Sequence, residues 1–477
     1  MMIIIDMKKN VLQSKIALFI LGIFLLGNFS AVAQQNTLNE KEQNEYNFTY
    51  NVGVQATIYG WALVMMDVAL ELQTNVDAPS NNGQAPINQL GPITRLWDYR
   101  DRSYTTPNND TYYIQGWGDL EEQPLVLFVP EVKNRYWIEQ ILDMYTESVV
   151  DLCNATVGDK GGYFILAKKG QEFDNPNNLP VYYSNTRYIW LAGRLGTDGS
   201  ESDKKIAQDL QTQFRLFPLA DYPNGGVQPA PKVVSGAPKV NFPMGLDWYN
   251  RFEKALNENY LESDRPITEQ FEYIGFGKGG VNTLAPHKRE ALQAAFKDAF
   301  AMIVNAAKYS STPVNGWNWE YKAGKYGADY LQRSAINMNS IGLNSPERAM
   351  YPKRYHDNNG EVLNGKNAYK ITLPADMPIN YEIGGFWSMT MYDAEDRFMV
   401  ENNIKRYKVG SMMKDLKYNK DGSLTIYISP EAPKDKKQKK NWLPAPEGDF
   451  MLQFRFYEPK IEVVDVQFAL PQLYNIN

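Results

Sequence analysis

Histidine is scarce in this sequence of 477 residues, and its scarcity limits the chemistry that the chain can do. It occurs only at His287 and His356, so one chain cannot build a zinc or iron site from several histidines. A Ser-His-Asp triad would need one of these two. His287 stands at a predicted helix start and His356 in a predicted turn, so we interpret each as a surface or capping residue. Acid–base chemistry must then come from carboxylates and tyrosines.

Two stretches concentrate such groups. Residues 107–111, Pro-Asn-Asn-Asp-Thr, precede a predicted strand and suit an Asx-turn, with Asp110 as a candidate acid or base. In residues 135–145, strand alternation separates a charged face from a mostly apolar one. The charged face comprises Arg135, Glu139, Asp143 and Tyr145. Two interpretations of this face stay open: an exposed sheet face with cross-strand pairs, or the floor of a cleft.

Two further patterns resemble catalytic motifs but lack the context that those motifs need. Residues 275–280 fit G-x-G-x-x-G, yet Pro286 delays the next helix and no alternating βαβ pattern surrounds them. Ser411 to Lys414 fit S-x-x-K without a K-T-G or S-D-N companion. We therefore expect no cofactor and no metal centre, and any metal that did bind would be a hard cation on Asp and Asn oxygens.

The amino terminus has the composition of an export signal. Lysines at 8, 9 and 15 precede an apolar run over residues 16–26, and Ala31-Val32-Ala33 forms a small-residue cleavage site. The alternative is a membrane anchor, but a span needs about 20 apolar residues and this run is shorter. The sequence thus predicts a signal peptide over residues 1–33 and a soluble, secreted or periplasmic mature chain without a membrane span.

Composition narrows the class of protein further. The single cysteine, Cys153, cannot form an intramolecular disulfide, so stability must come from a core, which the 43% hydrophobic content can supply. Removing the leader, with one aspartate and three lysines, takes the formal net charge from −6 to −8. This balance argues against nucleic acid as a partner. We interpret the one dense basic run, residues 434–440, as a solvated loop.

Periodicity divides the mature chain into segments. We predict a flexible tether over residues 34–49, with order beginning near Tyr50, and a leading helix plus β domain over 50–200, with a central strand at 125–129. An all-α segment follows over 201–345, with helices at 203–217 and at Pro286 to Tyr309. Strands resume over 346–477, among them 369–373 and 450–457. Strands, then helices, then strands predict a mainly β, α+β chain rather than a parallel βαβ sheet.

Several motifs are similar to those of a known pair of families. Residues 107–112, 119–120, 124–130 and 135–146 resemble the exported bacterial family named domain of unknown function 1254. Residues 385–388, 392–393, 421–424, 441–446 and 454–459 resemble its usual partner, domain of unknown function 1214. The resemblance implies an amino-terminal antiparallel β-sandwich, a helical insert and a carboxy-terminal jelly-roll-like β-sandwich, without an established reaction. The chain departs from the usual family ending, finishing Ala469-Leu470-Pro471-Gln472 without a tryptophan-containing tail.

Two functions stay open. In the first, the chain is a hydrolase or lyase acting on a small polar molecule or saccharide in a cleft between the β domains. Its catalytic candidates are Asp110, Arg135, Asp143 and Tyr145. In the second, it is a non-catalytic ligand- or glycan-binding protein of the cell envelope, with Trp387, Trp442 and Tyr457 as an aromatic platform. The remaining binding candidates are Asn108, Asn109, Glu139, Gln140, Asn441 and Arg455. With either function, the chain could form a homo-oligomer.

Overall fold

The computed structural model describes residues 38–102, 105–233, 240–309 and 311–477. The predicted signal peptide over 1–33, and residues 34–37 of the predicted tether, lie outside the described residues. The chain is mixed α+β with several antiparallel sheets, as predicted. Helices hold 31% of the chain and strands 26%, so strands do not dominate as the expectation of a mainly β chain required.

The described residues contain α-helices of very different length. In chain order they are α1 Glu40–Thr74, α2 Asn154–Val157, α3 Glu201–Gln211, α4 Leu246–Glu258, α5 Arg265–Thr268, α6 Pro286–Tyr309, α7 Tyr330–Asn339, α8 Lys436–Lys440 and α9 Ile461–Val464. Of these, α1, α4, α6 and α7 pack together as one helical layer organised around α1. Gly53 of α1 lets the helix approach α6 so closely that an added Cβ would lie 2.8 Å from Leu292. The leading helix therefore packs with the helical segment. The sequence predicts instead that it forms one domain with the amino-terminal strands, over residues 50–200.

The helix α1 begins ten residues before Tyr50, where we predicted order to begin. A capping box starts it: the Asn39 side chain accepts from the Glu42 N–H and the Glu42 side chain accepts from the Asn39 N–H, both at 3.0 Å. Glu45 then bonds His287 at the start of α6. These contacts order a polar segment that lacks apolar periodicity, so the tether prediction is wrong from Glu40 onward. Among the described residues, α1 is long and apolar enough to cross a membrane. However, 78% of its apolar 18-residue stretch is buried inside the protein.

Two sheets form the amino-terminal β region. The first sheet has the order β1-β2-β8-β4-β5 and is antiparallel, and the second has the order β7-β6-β3-β9. Their strands are β1 Gln89–Ile93, β2 Thr111–Asp119, β3 Leu125–Val129, β4 Trp137–Asp143, β5 Ser148–Cys153, β6 Gly162–Lys168, β7 Val181–Ser184, β8 Tyr188–Gly196 and β9 Arg215–Pro218. A shared apolar core lies between the two sheets. We predicted helix as far as Phe217, but helix α3 ends at Gln211 and β9 pairs with β3, because Leu216 and Phe217 fill apolar cores beside that strand.

Two more sheets form the carboxy-terminal region. The third sheet has the order β10-β11-β13-β19-β15-β16, with β12 also paired to β19, and the fourth has the order β18-β17-β14-β20. Their strands are β10 Thr312–Val314, β11 Trp317–Trp319, β12 Ala349–Met350, β13 Lys353–Arg354, β14 Tyr369–Leu373, β15 Phe386–Asp393, β16 Lys408–Gly410, β17 Leu424–Ser429, β18 Trp442–Pro444, β19 Phe450–Tyr457 and β20 Tyr474–Asn475. β10 and β11 fall inside the segment that we predicted to be all-α. An Asn315-Gly316 turn, with both residues at positive φ, closes this hairpin.

The first and third sheets face each other. The Tyr136 ring, at the start of β4, packs against Phe386 and Tyr457 of the third sheet with ring centroids 5.4 and 5.1 Å apart. Two small apolar clusters flank this junction. The first sheet is thus covered by the second sheet on one face, and by the third sheet and the helices on the other. A cavity remains in this second interface.

Candidate functional site

The cavity between the first and third sheets, called here the interdomain cavity, has a volume of about 90 Å³. The first sheet contributes side chains from β2 and β8, and the third sheet contributes side chains from β19. Residues 105–108 and 340–343 complete its walls. The side chains that its geometry depends on are Tyr113, Gln115, Trp190, Arg194, Tyr351, Gln453 and Arg455.

Two arginines from opposite sheets line this cavity. Arg194 donates to the Asn344 side-chain oxygen and, at 3.0 Å, to the Gly342 carbonyl. Arg455, only 2% exposed, donates to the Thr390 hydroxyl, the Tyr392 hydroxyl and the Thr106 carbonyl. Among the described residues, no carboxylate lies within ion-pair distance of either guanidinium. One buried and one half-buried positive charge thus have only neutral hydrogen-bond acceptors.

The rest of the lining is rich in donors and contains no acidic residue. The indole N–H of Trp190 is buried and has no hydrogen-bond partner among the described residues, and the same is true of the Gln453 side-chain oxygen. Lys353 lies directly opposite Gln453 on the neighbouring strand. Burial, and then the charge of Arg397, lower the pKa of Lys353 to about 8. The electrostatic environment therefore favours a negatively charged occupant.

The loop at 105–110 carries the Pro-Asn-Asn-Asp motif and is fastened by the third sheet. Asp110, 1% exposed, accepts from the Ser388 hydroxyl at 2.6 Å and pairs with Lys408 at 2.5 Å. The Asn108 side chain accepts the Asp110 and Thr111 N–H groups, which confirms the expected Asx-turn. Asp110 thus clamps a cavity wall to the other domain. A carboxylate engaged by both a cation and a hydroxyl is poorly placed to accept a proton from a ligand.

The other catalytic candidates are not brought to Asp110. Arg135 pairs with Asp203 of α3 at 2.5 Å. It precedes β4, whereas Asp143 ends it, and eight residues of extended strand span about 26 Å. Arg135 therefore lies at the opposite end of this strand from Asp143 and Tyr145.

Asp143 and Tyr145 lie at the end of β4 that meets the helical layer. Asp143 accepts the Tyr145 and Glu147 N–H groups at 2.8 and 3.0 Å, and burial raises the pKa of Asp143 to about 7. The buried Arg333 guanidinium lies 5.0 Å from the Tyr145 ring centroid and also faces the rings of Tyr59 and Tyr330. These contacts join β4, α1 and α7, which makes the cluster a packing junction.

Glu139 is neither on an exposed face nor on a cleft floor. Trp137 and Ile141, its neighbours on the same face of β4, belong to the core between the first and second sheets. Its carboxyl is 0% exposed, and neither oxygen has a hydrogen-bond partner among the described residues. The carboxyl lies over Gly193, where an added Cβ would overlap it. Burial raises the pKa of Glu139 well above its usual range, and the charge of Arg194 offsets this only in part.

Two of the predicted binding residues, Asn108 and Arg455, line the interdomain cavity. Two others support its walls: the Gln140 amide donates to the Leu343 carbonyl at 2.9 Å, and the Asn109 amide donates to the Trp97 carbonyl at 2.5 Å. Sequence reasoning missed Arg194. A lone arginine inside the apolar strand Tyr188–Gly196 was the available signal.

The expected aromatic platform is not formed, because its rings are core residues. Trp387 is 3% exposed and stacks on Phe454, and Tyr457 is fully buried against Phe386. Trp442 is 7% exposed and donates its indole N–H to the Ser429 carbonyl. Asn441, also predicted to bind, instead ties the Lys417 and Thr425 carbonyls together.

His287 is more buried than we expected of a surface residue, at 8% exposure, and bonds Glu45 at 2.8 Å. His356 is exposed. Within the described ranges, no group of three or more His, Cys, Asp or Glu side chains is arranged to hold a metal ion. The basic run forms α8, capped by Asp435 and largely exposed.

Two family models match the chain. Residues 87–218 match Protein of unknown function (DUF1254), and residues 348–461 match Protein of unknown function (DUF1214). The pair and its order are those predicted from the motifs. The first match contains most of the first two sheets and Arg194, and the second contains Ser388, Lys408 and Arg455. The interdomain cavity therefore lies between the two matched regions.

One of two solved structures compared with this chain supports the fold. The crystal structure of the VPA0106 protein from Vibrio parahaemolyticus is similar, with a TM-score of 0.67 and 23% sequence identity over 90% of this chain and 100% of that one. An uncharacterised protein from Burkholderia cenocepacia has a TM-score of 0.44 and 12% identity over 92% of this chain and 97% of its own. No curated protein matches the sequence.

Proposed function

This chain belongs to the proteins that pair a DUF1254 with a DUF1214 domain, and we propose that it is an exported, non-catalytic binding protein for a small organic anion. The observation that carries the proposal is the pair of guanidinium groups, those of half-buried Arg194 and buried Arg455, on a cavity lining that contains no acidic residue. A carboxylate would supply the charge that both lack and can accept two parallel hydrogen bonds from one guanidinium.

The size of the interdomain cavity supports a small ligand. Its volume is about 90 Å³, whereas one water molecule takes about 30 Å³ of liquid volume. A glycan chain would need a longer groove. Trp190 and Tyr113 offer ring faces beside the two cations, so the ligand we favour is a compact carboxylate with a short carbon skeleton.

A binding role is favoured over hydrolysis or elimination because the lining lacks a general base. Asp110, the nearest predicted acid or base, is held by Lys408 and Ser388, and Asp143 lies at the end of β4 beside the helical layer. The two sheet pairs, each around its own core, support the finer proposal of a β-sandwich followed by a jelly-roll-like sandwich.

Calorimetric titration of residues 34–477 with acetate, propionate and lactate, at fixed ionic strength, tests the binding proposal. Acetamide, propionamide and lactamide are the neutral controls. We expect at least one acid to bind and its amide to bind about tenfold more weakly or not at all, a difference of about 1.4 kcal/mol or more. If no acid binds, or acid and amide bind equally, the proposal fails.

Matched arginine variants locate the site. Arg194→Gln removes one cavity cation. Arg354→Gln removes another buried guanidinium that also donates only to neutral oxygens, those of His356, Asn315 and Gln472, away from the cavity. We expect anion affinity to fall about tenfold in the first variant and to stay unchanged in the second. Thermal unfolding of both variants identifies any loss of fold. Equal affinities in the two variants would place the anion elsewhere.

Export is tested separately. Expression of the full chain in a Gram-negative host, followed by amino-terminal sequencing of the product, should give a chain that starts at Gln34. An intact amino terminus in the cytoplasmic fraction would contradict the signal-peptide proposal.

A further inference from the structure

A second cavity lies on the opposite face of the third sheet from the interdomain cavity. It opens between the third and fourth sheets at one end of the carboxy-terminal region, and its volume is about 260 Å³. The residues that shape it are Leu373, Met377, Tyr381, Trp387, Tyr418 and Leu424. Trp387 and Ser388 are neighbours on β15, yet the first faces this cavity and the second faces Asp110.

The lining of this second cavity differs from that of the interdomain cavity because it carries no charged side chain. Its one aliphatic hydroxyl, that of Ser411, already accepts a hydrogen bond from the backbone N–H of Trp387 at 3.0 Å. Leu373, Met377 and Leu424 are buried, whereas Tyr381 and Tyr418 are each 50% exposed. The cavity thus has an apolar interior bounded by aromatic rings, two of them from half-exposed tyrosines.

These features select a class of ligand. An ion entering this cavity would lose hydration without gaining a charged partner. An apolar cavity of about 150 Å³ accommodates a benzene ring, so a cavity of about 260 Å³ has room for two fused rings. Tryptophan and tyrosine faces favour offset or edge-to-face contact with such rings.

We propose that the cavity bounded by Trp387, Tyr381 and Tyr418 binds a small neutral aromatic molecule of about the size of indole. This site is independent of the anion site in position, in lining and in ligand charge. It would give the carboxy-terminal region a ligand of its own.

Ala375 provides a test that leaves the core untouched. It lines the cavity but is exposed, so a larger side chain there can fill the mouth without displacing buried residues. Titration with indole, followed by saturation-transfer NMR and calorimetry, should show binding with a Kd below about 1 mM. We expect Ala375→Trp to weaken it about tenfold or more, and Ala375→Ser, the matched control, to leave it unchanged.

Two further titrations complete the test. Indole-3-acetate should bind more weakly than indole, because its carboxylate would be desolvated without a partner. Indole affinity should be the same in Arg194→Gln, which distinguishes this site from the anion site. No indole binding, or binding that Ala375→Trp does not change, would overturn the proposal. Binding of methyl glucoside that Ala375→Trp blocks, without indole binding, would assign the site to sugars instead and also overturn it.

Discussion

Asp110 and Glu139 are two carboxylates that the fold removes almost completely from water, yet their surroundings are opposite. Asp110 lies between the first and third sheets, where it accepts from Ser388 and pairs with Lys408. Glu139 lies between the first and second sheets without a hydrogen-bond partner among the described residues. Equal burial therefore gives a charged clamp in one interface and an acid that is kept neutral in the other. The difference shows that burial alone does not identify a functional carboxylate.

The largest effect should come from removing the clamp. Asp110→Ala leaves the Lys408 amine without its partner in a mostly buried position, and loss of one partner of a buried ion pair costs about 3–5 kcal/mol of unfolding free energy. Urea denaturation measures this loss. The matched control is Glu121→Ala, which breaks the exposed Lys168 pair and should cost about 0–1 kcal/mol. Equal losses in the two variants would mean that the Asp110 pair is not stabilising.

A smaller loss of stability should follow when only the neutral donor to Asp110, the Ser388 hydroxyl, is removed and the charged donor, Lys408, is kept. Ser388→Ala deletes the hydroxyl that donates to Asp110 at 2.6 Å and leaves the Lys408 pair in place. Hydrogen bonds to charged groups contribute about 1.5–3 kcal/mol, and the unfolding free energy should fall by that amount. If Ser388→Ala destabilises as much as Asp110→Ala, the hydroxyl and the ion pair act as one unit, which the double variant would then confirm.

The closed space around Glu139 can be tested with one methyl group. Gly193→Ala places a Cβ against the Glu139 carboxyl, and overpacking a core costs about 1–3 kcal/mol. The φ of Gly193 is not in the left-handed region, so backbone strain does not contribute. Glu139→Ala in the same chain should recover most of the loss. A double-mutant cycle with zero coupling would show that the methyl group is accommodated elsewhere.

The smallest effect, at mildly acid pH, should come from Glu139→Gln. Because burial raises the folded pKa of Glu139 above that of the unfolded chain, the unfolded state releases a proton that the folded state keeps. The wild-type contribution is therefore complete below the unfolded pKa and is lost as pH rises, by up to about 1.4 kcal/mol per pH unit.

Glutamine has no such dependence, so Glu139→Gln should gain stability relative to wild type between about pH 5 and pH 7. Denaturant unfolding of both proteins at several pH values measures the difference. A constant difference across that range would show that Glu139 has an ordinary pKa in the folded chain.

Sequence periodicity predicted the longest and most apolar elements well. Helix Pro286–Tyr309 and the strands at 125–129, 369–373 and 450–457 have the predicted bounds. The β10–β11 hairpin was missed although Asn315-Gly316 is a recognised turn signal, because its strands are only three residues long. The sequence pattern predicts that residues 215–218 end a helix. In the structure they form β9 instead, because they pair with the edge of β3.

The candidate site was harder to predict, because alternation separates two faces of a strand without saying what covers each. Glu139 was placed correctly on a face away from Gln140, but only the second sheet makes that face a core. Nothing in the sequence around Arg194 marks it as functional. It becomes a candidate only because the fold brings it to the same cavity as Arg455, 261 positions later in the chain. The family motifs led to Asn108 and Arg455, since those motifs include the loop and strand that meet at the interdomain cavity.

The fastening of loop 105–110 also sets an order of events during synthesis. Asp110 is made 278 residues before Ser388 and 298 before Lys408. At about 5–20 residues per second, that separation corresponds to roughly 15–60 s of translation. During that interval the amino-terminal sheets can form. Loop 105–110, which is one wall of the interdomain cavity, still lacks Ser388 and Lys408, the residues that fasten it. The cavity is completed only when most of the chain exists, so a chain that ends before Lys408 would expose an unpaired carboxylate and an open sheet face.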